Sequence, residues 1–243
     1  IIIMIMQEFW ENSLPTGYYD KILIAGLSNK RGIQAGWHHI TFSTIKNRIR
    51  KDSKHLDYAC GPGTFIGKYL SNKHLTGVDI ANDQIQYANK KYSNKGKFID
   101  LRNFDFNKHF EEYDEITVLG LMEFISENDF IELIFKLKDM LKPKGKIYFT
   151  TPNFRFGMKS LDVILNIFGK VGYTDEYASK YNKKKLNSLL KENNVLNFKI
   201  LKFLNFGFIL SFFSLNLGLR LNNFIGRIFF NYFGFLLLLE IEK

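Results

Sequence analysis

From His55 onward the chain alternates short apolar runs with segments of helical period. "HLDYA" (55–59) predicts a short buried strand, and "TFIGKYL" (64–70) the helix after it. "HLTGVDI" (74–80) predicts a second strand. In "NDQIQYANKKY" (82–92), Ile85, Ala88 and Tyr92 share one helical face, with Asn82 or Asp83 as cap. "KFIDL" (97–101) and "EITVLGL" (115–121) predict strands three and four. "DFIELIFKLKDML" (129–141) is an amphipathic helix that stops before "KPKG", and "KIYFTT" (146–151) is a fifth strand closed by Pro152. Strands alternating with helices predict a parallel sheet covered on both faces.

The flanks read differently. Residues 7–50 are aromatic and irregular, then turn helical over "HHITFSTIKNRIRK" (38–51). After 180, "YNKKKLNSLLKENN" predicts a helix with a basic face and "NFKILKFLNF" a strand. "RLNNFIGRIFFNYF" predicts a helix and "FGFLLLLEIEK" a last strand. Two late strands would extend the sheet at one edge. The division expected is a helical cap over 1–50 and a main domain over 51–243. The main domain has its core motifs at 55–153 and a substrate-side and edge-strand region at 154–243.

Composition narrows the picture only a little. A chain of 243 residues that is 46% hydrophobic buries a real core and is not disordered. Its net charge of +10 comes from scattered lysines, which suits an evenly charged surface better than a nucleic-acid footprint. A single cysteine, Cys60, excludes an internal disulfide, and no Cys/His set has zinc-ligand spacing, so no metal is expected. "IIIMIMQEFW" lacks a basic n-region and a cleavage site, so no signal peptide is read there. The expected location is cytoplasmic. The apolar stretch 203–219 raises the membrane question. Asn205, Ser211, Ser214 and Asn216 within it favour a buried end of the sheet, with peripheral membrane contact or an apolar acceptor tunnel as the alternatives.

The chemistry gathers at "HLDYACGPGTFIGKYL" (55–70). In a parallel sheet, ligands sit beyond the C-terminal strand ends, and a glycine turn there admits close backbone approach. Gly61-Pro62-Gly63 fits that device. Asp79 ends the second strand, where a carboxylate accepts from both hydroxyls of a ribose. A dinucleotide dehydrogenase would share this pair. Yet Asp57, inside the first strand, suits a cationic group better than a pyrophosphate. The spacing Gly61-x-Gly63-x-x-x-Gly67 also departs from GxGxxG.

"LDYACGPGTFIGKYL" followed by "GVDIANDQIQYANKKY" resembles the class I S-adenosylmethionine-dependent methyltransferases (type 11/23-like, with small-molecule acceptors), whose first motif commonly reads LDxGCGxG. "YDEITVLGLMEFI" and "LKPKGKIYFTTPN" extend the resemblance over 55–153. It implies an α/β fold: a Rossmann-like doubly wound sheet, mostly parallel with an antiparallel C-terminal edge strand, in three α/β/α layers. It implies S-adenosylmethionine as cofactor. Asp57, Ala59, Cys60, Gly61 and Gly63 would form the loop around its methionine part, with Asp57 toward the amino group and Cys60 as packing. Asp79 would hold the ribose, and Ile80 and Gln84 would flank the adenine. Asp100 would accept from the adenine amino group, with Leu101 beside it and Asn103 and Asp105 as rivals. Leu119 and Gly120 would border the methionine side.

Two departures stand out. Ala59 replaces the family's first glycine, and the frequent Glu-His pair is Glu123-Phe124 here, which excludes a histidine catalyst at 124. His38 and His39 are the candidate bases, with packing as the alternative, and Tyr18, Tyr19 and Tyr173 are candidates for the mouth of the site. The expected reaction is methyl transfer to a small molecule, with O-methylation of a quinone-like or sugar/polysaccharide precursor preferred. An RNA methyltransferase and a non-catalytic cofactor-binding protein are the rivals. No DNA partner is expected, and the sequence leaves the oligomeric state open.

Overall fold

The computed structural model describes residues 14–155, 177–229 and 232–243. Helices α1 (Tyr18–Asn29) and α2 (Ile33–Lys46) come first. The sheet region follows: β1 (His55–Tyr58), α3 (Thr64–Tyr69), β2 (Leu75–Asp79), α4 (Asn82–Tyr92), β3 (Lys97–Asp100), β4 (Tyr113–Leu119), α5 (Glu127–Met140) and β5 (Leu141–Pro152). The last elements are α6 (Lys183–Glu192), β6 (Phe198–Phe203), α7 (Leu215–Ile228) and β7 (Leu236–Glu242).

The seven strands form one sheet in the order β3-β2-β1-β4-β5-β7-β6. The first five are parallel, and β7 runs antiparallel to both β5 and β6. The two late strands do extend the sheet at one edge. The last strand of the chain, however, sits one place in, and β6 forms the rim. The reason is visible in β7, where Leu236–Leu239 are buried on both faces, whereas β6 leaves Lys199 and Lys202 at solvent.

Local chemistry sets several boundaries differently from the pattern. α4 begins at Asn82, and neither Asn82 nor Asp83 caps it: Ala81 is the N-cap and makes no side-chain cap bond. β5 begins at Leu141, before the "KPKG" turn. α2 starts five residues before the predicted helix, at Ile33, and α7 starts at Leu215, where the Ser214 hydroxyl accepts from the Leu217 amide.

The cap helices are joined to the main domain through a buried carboxylate. Asp20 of α1 has no solvent exposure and accepts from the hydroxyls of Tyr87 (2.8 Å) and Tyr92 (2.7 Å) and from the Lys91 ammonium, all on α4. Gln84 Oε1 adds a second tie by accepting from the Gly17 amide at 2.9 Å. A buried acid is stable only when paired, so this cluster fixes the angle at which α1 crosses α4.

Candidate functional site

The C-terminal ends of β1, β2 and β4 open onto a cavity of about 710 Å³, the usual place for a ligand in such a sheet. One wall is the loop after β1. Ala59 (φ 59°), Gly61 (φ 52°) and Gly63 (φ 71°) are all left-handed, which folds the loop back over the strand ends. The glycines divide the work. A Cβ on Gly61 would meet nothing within 4 Å, so its bare backbone faces the cavity. A Cβ on Gly63 would lie 2.5 Å from the Phe98 ring, and one on Gly67 would lie 2.4 Å from Tyr92. Gly63 thus serves helix–sheet packing within the loop and lies outside the cavity lining. Ala59 does line it, with its methyl in a conformation that costs a non-glycine residue about 1–2 kcal/mol.

Two carboxylates face the cavity here. Asp57 is 2% exposed and pairs in register with Thr117 of β4. The Thr117 hydroxyl donates to Asp57 Oδ1 at 2.7 Å and sits 2.9 Å from His55 Nε2. With the hydroxyl proton directed at Asp57, His55 must donate through Nε2, which leaves its buried Nδ1 bare. Burial holds His55 neutral, near 3, and pushes Asp57 up to about 7. The Thr117 bond draws Asp57 down and the Asp79 charge draws it up. An acid in this state lacks a cation. Asp79 is tied to the loop: its oxygens accept from the amides of Gly61 (2.7 Å) and Ala81 (2.8 Å). Burial raises its carboxyl against these bonds and one from the Ile80 amide.

Ile80, Leu101, Leu119 and Gly120 also line the cavity. Gly120 (φ 75°) turns the chain after β4 and donates its amide to Thr150 at 3.1 Å. Gln84 reaches the cavity, but its Oε1 is committed to Gly17. Cys60 is buried with its thiol pushed well up by burial, so it stays protonated and packs. Asp100 is engaged elsewhere. It lies off the cavity, pairs with Arg102 and caps the turn at 101–103; the guanidinium holds its carboxyl low. Asn103 and Asp105 lie off the cavity too, and Asp105 caps the next turn and pairs with Lys108.

Aromatic side chains make up much of the rest of the lining: Tyr19, Trp37, Phe42, Phe106, Phe124 and Tyr177. Of the two candidate histidines, α2 turns only His38 inward, between the rings of Tyr19 (5.3 Å) and Phe42 (5.9 Å). Burial lowers it to about 4, so it is a neutral imidazole at pH 7. His39, one helical step round, bonds Tyr69 Oη through Nδ1 at 2.6 Å and lies off the cavity lining, which favours the packing alternative. Tyr18 packs edge-on against Tyr19, and Tyr173 lies outside the described residues.

Sequence reasoning noted Glu123 only for the histidine missing beside it. The structure buries it (5% exposed) in the cavity wall with no hydrogen-bond partner for Oε2. Burial pushes it up to about 7, although its own backbone and the nearby Thr151 hydroxyl pull the other way. Thr117 and the His55 contact were missed as well; their only sequence signal is that positions 55, 57 and 117 fall on one sheet face. No group of three or more His, Cys, Asp or Glu able to hold a metal occurs among the described residues.

Comparison with known proteins places these features. Residues 56–145 match the family model described as a methyltransferase domain. No curated protein matches the chain. Among solved structures, magnesium protoporphyrin IX methyltransferase from Synechocystis PCC 6803, with bound SAH, aligns at 12% identity over 99% of both chains (TM-score 0.59). The plantazolicin methyltransferase BpumL, in complex with SAH, aligns at 21% identity over 100% of this chain and 95% of its own (TM-score 0.56). A SAM-dependent methyltransferase from Archaeoglobus fulgidus covers 83% of this chain and 94% of its own at 16% identity (TM-score 0.52). At such identities the likeness is one of fold.

Proposed function

We propose that this chain, whose residues 56–145 form a class I S-adenosylmethionine-dependent methyltransferase domain, passes the methyl group to a small, largely apolar acceptor with an ionisable X–H group. It is an enzyme, and its methyl donor is S-adenosylmethionine. One observation carries the acceptor reading: a single cavity is lined by two acids and bare backbone after β1 and β2 and also by many aromatic rings and the buried Glu123, whose Oε2 has no hydrogen-bond partner. The residues fit the donor. Asp57, buried without a cation, would take the ammonium group. Asp79 would accept from the ribose hydroxyls. The backbone at Gly61 leaves room for close approach, and Ile80 and Leu101 give the adenine apolar faces.

When bound, the donor supplies an electrophilic methyl on a sulfonium. The chain aligns a nucleophile with it and excludes water. Tyr19, Trp37, Phe42 and Tyr177 would hold a flat or apolar acceptor. A hydroxyl acceptor must lose its proton, and neutral His38 and Glu123 both face the cavity as proton acceptors. An aromatic, quinone-like hydroxyl suits this lining better than a sugar precursor, whose many hydroxyls would find few partners. Calorimetric titration with S-adenosylhomocysteine tests the donor site, with NADH as control. Micromolar binding of the former alone is expected, and binding of NADH instead would return the chain to the dehydrogenases.

A further inference from the structure

Helix α7 carries an exposed apolar row in addition to its buried contacts. Its protein-facing side carries Leu215, Gly218 and Asn222. A Cβ on Gly218 would lie 2.1 Å from Ser211 Oγ, so the helix backbone rests directly on the 3-10 turn at 206–212. Asn222 accepts the Asn205 amide through Oδ1 (3.0 Å) and the Asn205 side chain through its carbonyl (2.7 Å). The small and polar residues thus hold the helix down. Three large apolar residues point the other way: Leu217 and Phe224 are 49% and 61% exposed, and Ile228 is 57% exposed. These three share one row at helical spacing. Phe213, Phe229 and Tyr232 continue the exposed row beyond the helix ends. An ordinary surface helix buries its apolar row.

Charge identifies what this face meets. Residues 193–239 contain no Asp or Glu, but they contain Lys199, Lys202, Arg220 and Arg227. Arg220 and Arg227 run along the helix beside the apolar row, and neither forms an ion pair among the described residues. Lys30 sits at the start of α7, where its carbonyl accepts the Leu215 amide at 2.8 Å. Lys202 donates to the Tyr232 carbonyl at 2.9 Å; partial burial and then the charges of Arg155 and Lys183 lower its ammonium pKa. An apolar row in a segment that carries cations and no acid matches a bilayer surface with anionic headgroups. At 14 residues, α7 is about 21 Å long, which suits lying in the interface. No described helix is long and apolar enough to cross a membrane.

We infer that α7 docks the protein on an anionic membrane surface, with Leu217, Phe224 and Ile228 in the acyl boundary and Arg220 and Arg227 at the headgroups. The turn on which α7 rests also reaches the cavity: its buried Phe208 packs against the cavity-lining Trp37 at 5.6 Å. Docking would hold the Trp37 wall of the cavity near the bilayer that stores apolar acceptors.

The test is cosedimentation of the full chain with vesicles of phosphatidylcholine alone or with added phosphatidylglycerol. The expected result is partition onto the anionic vesicles that weakens with salt. Leu217→Asp with Phe224→Asp should reduce partition at least about tenfold, and Arg220→Glu with Arg227→Glu should remove the preference for phosphatidylglycerol. S-adenosylhomocysteine titration of each variant reports folding and an intact donor site independently, so failure here leaves the enzyme reading standing. Absence of vesicle binding, or equal partition by wild type and variants, overturns the inference. Self-association that the same substitutions abolish, without vesicle binding, overturns it in favour of a second copy of the chain.

Discussion

Replacing Asp57 with Asn keeps the shape of the side chain and its bond from Thr117 while removing the charge. Asp57 ionises near 7 in the folded chain against an ordinary 3.8, because burial opposes the charge. An ammonium ligand needs the ionised form, so binding below pH 7 must expel a proton. Wild-type affinity for S-adenosylhomocysteine should therefore fall roughly tenfold for each pH unit below 7 and level off above it. A charge-assisted hydrogen bond contributes about 1.5–3 kcal/mol, so Asp57→Asn should weaken binding about ten- to a hundredfold at pH 8. The variant's affinity should be flat with pH, and the two curves should converge near about pH 5 to 6. Calorimetry in two buffers of different ionisation enthalpy counts the proton directly: roughly 0.4–0.8 released by wild type at pH 6, none by the variant. The stability sign is opposite. A carboxyl with a raised folded pKa contributes stability below its unfolded value and loses it as pH rises through 7. The free variant should thus be more stable than free wild type at pH 8, by at most roughly 4 kcal/mol. If the variant retains the pH slope, the titrating group is elsewhere in the cavity, with Glu123 the first suspect, and the ammonium assignment falls.

Three other substitutions test separate parts. Ala59→Gly relieves the left-handed strain but loosens the unfolded chain, so stability should change by about 0 to +1 kcal/mol in chemical denaturation; a loss above about 1 kcal/mol would show that the Ala59 methyl packs usefully. Asp20→Asn should cost about 1.5–3 kcal/mol and raise amide exchange across 18–29 selectively, while uniform exchange would mean that α1 is held by other contacts. Glu123→Gln should raise the melting temperature at pH 8 and leave it unchanged near pH 4, because the carboxyl's stabilising protonated form disappears as pH rises through 7. A shift of equal size at both pH values would exclude ionisation as its cause.

The parallel core was legible because each strand is bounded by its own turn and each helix carries a local apolar face. The glycine loop and two acids were legible because their positions at strand ends are set by the chain itself. What was not legible depends on direction. His38 and His39 differ by one helical step, and only the packing of α2 against the sheet decides which faces the cavity. Asp100 was turned aside by an arginine two residues on, and Gly63 by a phenylalanine 35 positions later. α1 escaped notice because its anchoring residue is a buried acid, which breaks the apolar pattern that reveals helices. Placing β7 inside β6 required knowing which strand could hide both faces.

The order of the strands also bears on how the molecule comes into being. β7 is made after every other strand, yet it lies between two of them. Until it arrives, β5 ends the sheet with an open hydrogen-bonding edge, and β6 has nothing to pair with. A nascent chain can therefore assemble β1 to β5 early, but must hold a sticky rim exposed while some ninety further residues emerge. The final insertion of four successive leucines closes that rim. Maturation of the enzyme is thus gated by its last strand, and lesions there should appear first as aggregation during synthesis, with the chemistry of the cavity left unaltered in whatever chains reach the native state.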